Sequence, residues 1–170
     1  LVDKTGTCKK FGSLFGIVNN TSTSIGRRLL KERLLNPILN QETLEKRYNI
    51  AEYIMSGYEA YEDYLNKIID IERTHRKISL KNIHPADFVG LDMSYKKIID
   101  LIKLCSESRC TSLKTMVPDP ITIKLFKDYI EYYTSVFDMN EMCKYHLDKI
   151  TNSFFNDGHF PEIDKLKNDI

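Results

Sequence analysis

Cysteine is scarce and scattered in this sequence. Its four residues, Cys8, Cys105, Cys110 and Cys143, form no C-x-x-C pair, which argues against a structural zinc site or a disulfide framework. They read as free, mostly buried thiols of a reducing compartment. An excess of one charge is also missing. Lys and Arg total 25 against 24 Asp and Glu, a net of +1, so no global field draws the chain to nucleic acid or a membrane surface. No apolar run approaches the ~20 residues of a membrane span. The first residues, Leu1-Val2-Asp3-Lys4, show neither an initiator methionine nor a signal-peptide pattern. The sequons at Asn19 and Asn20 therefore carry little weight.

Catalytic signatures are absent as well. None of the seven glycines stands in G-x-x-x-x-G-K-[ST], and there is no G-x-G-x-x-G, G-x-S-x-G or H-E-x-x-H. A phosphate loop, a dinucleotide loop, a nucleophile elbow and a zinc-protease helix are thereby excluded within this chain. The four histidines, His75, His84, His146 and His159, are far apart in sequence. Nothing pairs a nucleophile with a base. By itself the chain is not expected to be an enzyme, and no catalytic, cofactor or metal residue is assigned.

What is present is helical periodicity. With 42% hydrophobic and 29% charged residues in a chain of 170, the composition is that of one globular domain. Residues 1–20 read as an irregular entry segment. From Thr21 the pattern turns helical, with Thr21 or Ser22 as cap and Ile25, Leu29, Leu30 and Leu34 at helical spacing. Pro37 stops this helix. Asn40 is a natural cap for the next, and Ser56-Gly57-Tyr58-Glu59 fits a capping box for another. A further break falls near Asp70. Pro85 opens a long helix in which Phe88, Leu91, Tyr95, Ile98, Ile102 and Cys105 step by three and four, the seam of a helix packed along another. Ser106 to Val117 reads as a polar loop. Asp119-Pro120 opens a second seam, Leu125, Tyr129, Tyr132, Val136, Met139 and Cys143. His146 lies on that seam and reads as a hydrogen-bonded core residue. Tyr129, Tyr132 and Tyr133 read as core aromatics, although exposed aromatics could stack bases. Pro161 opens a last helix that runs to the chain end without a C-cap, which suggests truncation. No segment shows strand alternation with a hairpin signal. The expected fold is an all-α bundle.

Charge alternates in blocks. Residues 27–47 carry Arg27, Arg28, Lys31, Arg33, Lys46 and Arg47 against three carboxylates, a net of +3. Residues 52–72 carry six carboxylates against Lys67, a net of −5. Residues 73–81 are basic again. These blocks read as solvated faces and ion pairs between neighbouring helices.

Two stretches are more specific. The first is Phe11-Gly12-Ser13-Leu14-Phe15, then Thr21-Ser22-Thr23-Ser24-Ile25-Gly26-Arg27-Arg28-Leu29-Leu30, then Leu34-Leu35-Asn36-Pro37-Ile38. The second is Asp70-Ile71-Glu72-Arg73 with Arg76, Pro85 and Asp87. In order and spacing this resembles the core (lever) domain of the MutS family of DNA mismatch-repair ATPases. Gly158-His159-Phe160-Pro161-Glu162-Ile163-Asp164-Lys165-Leu166 is similar to the family's entry into the lever helix. The residues that carry the resemblance are Thr21, Thr23, Gly26, Arg28, Leu30, Pro37, Asp70, Glu72, Arg73 and Arg76, all with structural roles. Gly26 costs a helix ~1 kcal/mol against Ala, so a tight helix–helix approach is expected there. Arg28 is expected to be partly buried and paired with Asp70 or Glu72. Thr21 and Thr23 offer caps.

The resemblance implies a domain that joins the nucleotide-binding domain to the DNA clamp and relays conformational change. The parent would be intracellular, dimeric, bound to mismatched DNA, and dependent on ATP and Mg. The family's Walker motif and mismatch-reading Phe-x-Glu lie outside this chain. Phe160-Pro161-Glu162 matches the latter by letter only and reads as a helix start. On this reading residues 1–20 are the entry segment, 21–158 the helical core, and 159–170 the start of the lever helix. The alternative is a free-standing helical module that binds a partner helix. A small nucleic-acid binder is a third reading.

Overall fold

Short polar side chains and proline set the helix starts. A computed structural model describes residues 12–168, which fold into ten helices and, among the described residues, one isolated antiparallel bridge between Phe137 and Phe155. The helices are α1 (Leu14–Val18), α2 (Ser24–Leu35), α3 (Gln41–Met55), α4 (Tyr58–Leu65), α5 (Ile71–Ser79), α6 (Pro85–Glu107), α7 (Thr111–Lys114), α8 (Pro120–Val136), α9 (Met139–Met142) and α10 (Pro161–Asn168). Asn40 accepts the Thr43 amide to cap α3, and Asp119 accepts the Ile121 and Thr122 amides ahead of Pro120 to cap α8. Pro85 occupies the first turn of α6, where its missing N–H costs nothing.

Several local expectations are corrected. The cap of α2 is Thr23, not Thr21 or Ser22: its Oγ1 accepts the Gly26 amide at 2.9 Å. The Thr21 hydroxyl donates to Asn19 and that of Ser22 to Glu62. The capping box at Ser56 does not form. Ser56 is still helical and donates to the Tyr53 carbonyl, which leaves Gly57 as the cap of α4 with no side-chain bond. Residues 106–117 are not an open loop, since α6 runs to Glu107 and α7 buries Leu113. Within the entry segment, α1 buries Phe15.

The bundle is organised around α6, which packs against α4, α5, α7, α8 and α9. Its core is Leu91, Tyr95 and Tyr133, surrounded by Ile71, Ile78, Phe88, Ile98, Phe126, Ile130, Phe137 and Met139. The α6 seam thus faces inward as its spacing predicts. The α8 seam does so only in part, through Val136, which is buried, and Met139, which packs on the core. Leu125 and Tyr132 are 64% and 67% exposed, whereas Phe126, Ile130 and Tyr133 face α6. The helix also stops at Val136 instead of carrying the seam to Cys143, because Phe137 leaves the helix to bridge Phe155. His146 is exposed rather than in the core; its ring meets His84 edge-on. Cys105 and Cys110 are half-buried and Cys143 is exposed, so none of these three is a core thiol. Cys8 and Phe11 lie outside the described residues.

Candidate functional site

The basic block of α2 meets the acidic start of α5 at one side chain. Asp70 is the cap of α5, and its Oδ1 accepts the Arg73 amide at 3.3 Å. The same carboxylate receives the fork of Arg28, Nη1 to Oδ2 at 2.9 Å and Nη2 to Oδ1 at 2.8 Å. Arg28 Nη2 also reaches Glu72 Oε2 at 2.5 Å. A guanidinium is planar and presents two parallel N–H donors, so it grips a carboxylate in fixed geometry. Asp70 at the cap and Glu72 in the first turn both stand at the N-terminus of α5, where negative charge also complements the helix dipole. The Arg28 bond lowers the Asp70 carboxyl below its ordinary range; partial burial opposes this, and the Arg73 amide adds to it. In return Asp70, and then Glu72, raise Arg28.

This joint is at the rim of the bundle. The Arg28 side chain is 46% exposed and that of Asp70 24%. Neither α2 nor α3 has a fully buried residue, so α2 owes its position to few contacts. Arg27 also lies over the Phe15 ring at 5.8 Å.

The other residues singled out in sequence have separate places. A Cβ on Gly26 would stand 2.9 Å from Thr23 Oγ1 and 3.7 Å from Thr21 Cβ. The glycine therefore makes room for the cap of its own helix, and the expected helix–helix crossing is not what it serves. Leu30 is half-buried, and Pro37 is exposed just after Asn36, the cap that ends α2. Arg73 and Arg76 are exposed and, among the described residues, form no ion pair.

Sequence reasoning missed a second polar cluster, inside the core. Asp92 is 3% exposed. Its Oδ1 accepts the Tyr133 hydroxyl of α8 at 2.8 Å, and its Oδ2 pairs with Lys96 at 2.8 Å. Burial first, then the bond to Asp92, raises the Tyr133 hydroxyl. Ser94, fully buried, accepts the Ile69 amide at 3.1 Å and donates to the Gly90 carbonyl, which ties the α4–α5 connection to α6. The signal was present: Asp92 follows Leu91 on the buried stripe, at the four-residue step from Phe88.

No group of three or more His, Cys, Asp or Glu among the described residues is placed to hold a metal ion, and no glycine-rich phosphate loop exists in the sequence. The described residues offer no donor set that fits ATP or Mg. No helix among the described residues is long and apolar enough to cross a membrane.

Geometry thus defines, over the described residues, an all-α domain built on one central helix, with a polar joint at its rim. Residues 1–157 match the family of MutS domain III, and the chain belongs to that family. It is 32% identical over 169 residues to a DNA mismatch repair protein mutS homologue of Acanthamoeba polyphaga mimivirus, a match covering 95% of this chain and 14% of the viral protein. It is 27% identical over 170 residues to the DNA mismatch repair protein MutS of Clostridium kluyveri, covering 98% of this chain and 19% of that protein. Against MutS of Caldanaerobacter subterraneus the identity is 26% over 161 residues, covering 93% of this chain and 18% of that protein. The chain spans less than a fifth of the length of these relatives.

Proposed function

We propose that this chain is the core/lever segment of a MutS-like mismatch-repair ATPase. It would connect the DNA clamp to the nucleotide-binding domain and transmit conformational change between them. The parent protein would bind mismatched DNA and ATP with Mg, work as a dimer and act inside the cell. The segment contributes no chemistry; residues 159–170 would begin the lever helix towards the clamp. The observation that supports this reading is the Arg28 fork on Asp70 and Glu72. One rigid bidentate contact, rather than a broad apolar interface, fixes the angle between α2 and the α5–α6 core. Such a contact has discrete bound and released states, which a transmission element requires.

The test has two arms. The isolated chain should hydrolyse no ATP and bind DNA only weakly and in a salt-sensitive way. Nanomolar, mismatch-selective binding by the segment alone would overturn the proposal. In the full-length protein, Arg28→Ala should reduce the stimulation of ATP hydrolysis by mismatched duplex while the DNA-free rate stays unchanged. Equal stimulation of variant and wild type would remove α2 from the relay.

A free-standing interaction module is the second reading. Leu35, Leu39 and Met55 around α2 and α3 are 50%, 97% and 76% exposed, and apolar side chains so displayed suit contact with further protein. Further coding sequence with a Walker motif downstream selects the first reading; a stop codon just past residue 170 selects the second.

A further inference from the structure

The C-terminal helix is fastened to the core by a short strap. Residues 154–158 leave the loop after α9 and run beside the end of α8. Phe155 bridges Phe137, the Asp138 amide donates to the Phe154 carbonyl at 2.8 Å, and the Asn156 amide donates to the Val136 carbonyl at 2.8 Å. The Asn156 side chain then donates to the Ser135 carbonyl at 2.7 Å. The strap therefore satisfies the carbonyls that the end of α8 leaves open. From its other side, α10 and the residue just before it, Phe160, return to the strap. Phe160 meets the Phe155 ring edge-on at 5.4 Å. Asp164 Oδ2 accepts the Gly158 amide at 2.9 Å, where Gly158 has φ +89°, a left-handed turn that glycine adopts freely. Lys167 Nζ donates to the Phe155 carbonyl and to Asp157 Oδ1, both at 2.7 Å.

Lys167 is the critical member. Its ammonium binds the backbone of the same residue, Phe155, that bridges α8, so one side chain from the second turn of α10 reaches the end of α8 through a single peptide. Its side chain is 29% exposed, which shields the contact in part from water. Asp164 Oδ1 is buried and unpaired among the described residues, so the Gly158 amide alone orients that carboxylate. Without Lys167, the bond from the Gly158 amide to Asp164 would be the one hydrogen bond among the described residues between α10 and the strap, beside the ring contact of Phe160.

We infer that Lys167 is a positioning residue that pins α10 to the 154–158 strap, so that α10 and the end of α8 move as one body. The inference deepens the lever reading and rests on it, since a pin matters most if α10 continues as a lever. The test uses the full-length protein, with reactive native cysteines replaced and spin labels at Tyr132→Cys and Leu166→Cys, two exposed positions on α8 and α10. Wild-type Lys167 should give one narrow distance distribution. Lys167→Met should lose the narrow peak, and Lys167→Arg should restore it, because a guanidinium can donate to both oxygens. Asp157→Asn, a change to a side chain that is 83% exposed, should broaden it part of the way. A narrow peak in Lys167→Met, or no recovery in Lys167→Arg, would overturn the pin. ATP-driven release of DNA, followed in the same proteins, separates the two levels. If the distances respond as stated but release is unchanged, the pin stands and the lever reading fails.

Discussion

The hydroxyl of Tyr133 donates to the carboxylate of Asp92 at 2.8 Å in a place where both residues are 3% exposed. A buried carboxylate needs such partners, because desolvation without them costs more than packing returns. The bond also fixes the axial register of α8 on α6. An apolar face alone would tolerate sliding by a turn, whereas one donor over one acceptor does not.

Tyr133→Phe keeps the ring contacts with Phe88 and Tyr95 and removes only the donor. It should cost about 1.5–3 kcal/mol, the scale of a lost hydrogen bond to a charged group, read as a lower denaturation midpoint at unchanged slope. Combining it with Asp92→Leu should restore part of the loss, since the buried carboxylate oxygen left without its Tyr133 donor is then gone, and Lys96, the partner of the other oxygen, is 56% exposed and can turn to water. A double variant less stable than Tyr133→Phe would contradict this account.

Gly26 and Thr23 should be strongly non-additive. Thr23→Ala should cost about 1 kcal/mol through loss of the cap. Gly26→Ala alone should bring no gain, because its Cβ would crowd Thr23 Oγ1. In the Thr23→Ala background the same change should stabilise by up to about 1 kcal/mol, the helix preference of Ala over Gly. Additive effects in a thermal-denaturation cycle would mean that the cap is not what the glycine accommodates.

The Arg28 joint should be acid-labile. The folded-state pKa of Asp70 lies below its ordinary 3.8, so its contribution is complete above that value and is lost as pH falls through the lowered one. Proteolysis within α2 should be slow at about pH 5 and accelerate once the pH is taken well below 3.8, assayed with an acid-tolerant protease. Asp70→Asn and Arg28→Lys should be cut readily at both values, since neither can form the two-point fork. Equal protection of wild type and Asp70→Asn at the higher pH would exclude the joint as the anchor of α2.

Alkali should act through the core tyrosines. Burial, with a smaller contribution from Tyr129, pushes the Tyr95 hydroxyl up to about 12 from its ordinary 10.0. The raised value means that stability is fully present below about pH 10 and is lost as pH climbs towards about 12, because the unfolded chain ionises first. Tyr95→Phe should flatten that fall without abolishing it, since Tyr133 is raised as well. Denaturant midpoints at about pH 9 and pH 11 provide the measurement, and identical falls in both proteins would be incompatible with it.

Local chemistry was legible in the sequence. A cap needs only one short polar side chain at the right place, so Asn40, Asp119 and Pro85 mark their helices by themselves. Arg28, three residues beyond Ile25, and the acidic start of α5 likewise identified both partners of the ion pair. The missing motifs and the spaced resemblance were enough to name the family. Tertiary structure alone decided which stripe of α8 faces inward. Leu125, Tyr129, Tyr132 and Val136 repeat at helical spacing, and so do Phe126, Ile130, Tyr133 and Phe137. The two stripes lie about 100° apart on a helix of 3.6 residues per turn, both are made of apolar and aromatic side chains, and Val136 of the first is buried as well. Asp92 and the rings of Phe88 and Tyr95 on α6 meet Tyr133 and not Tyr132, and periodicity within one helix carries no information about its neighbour.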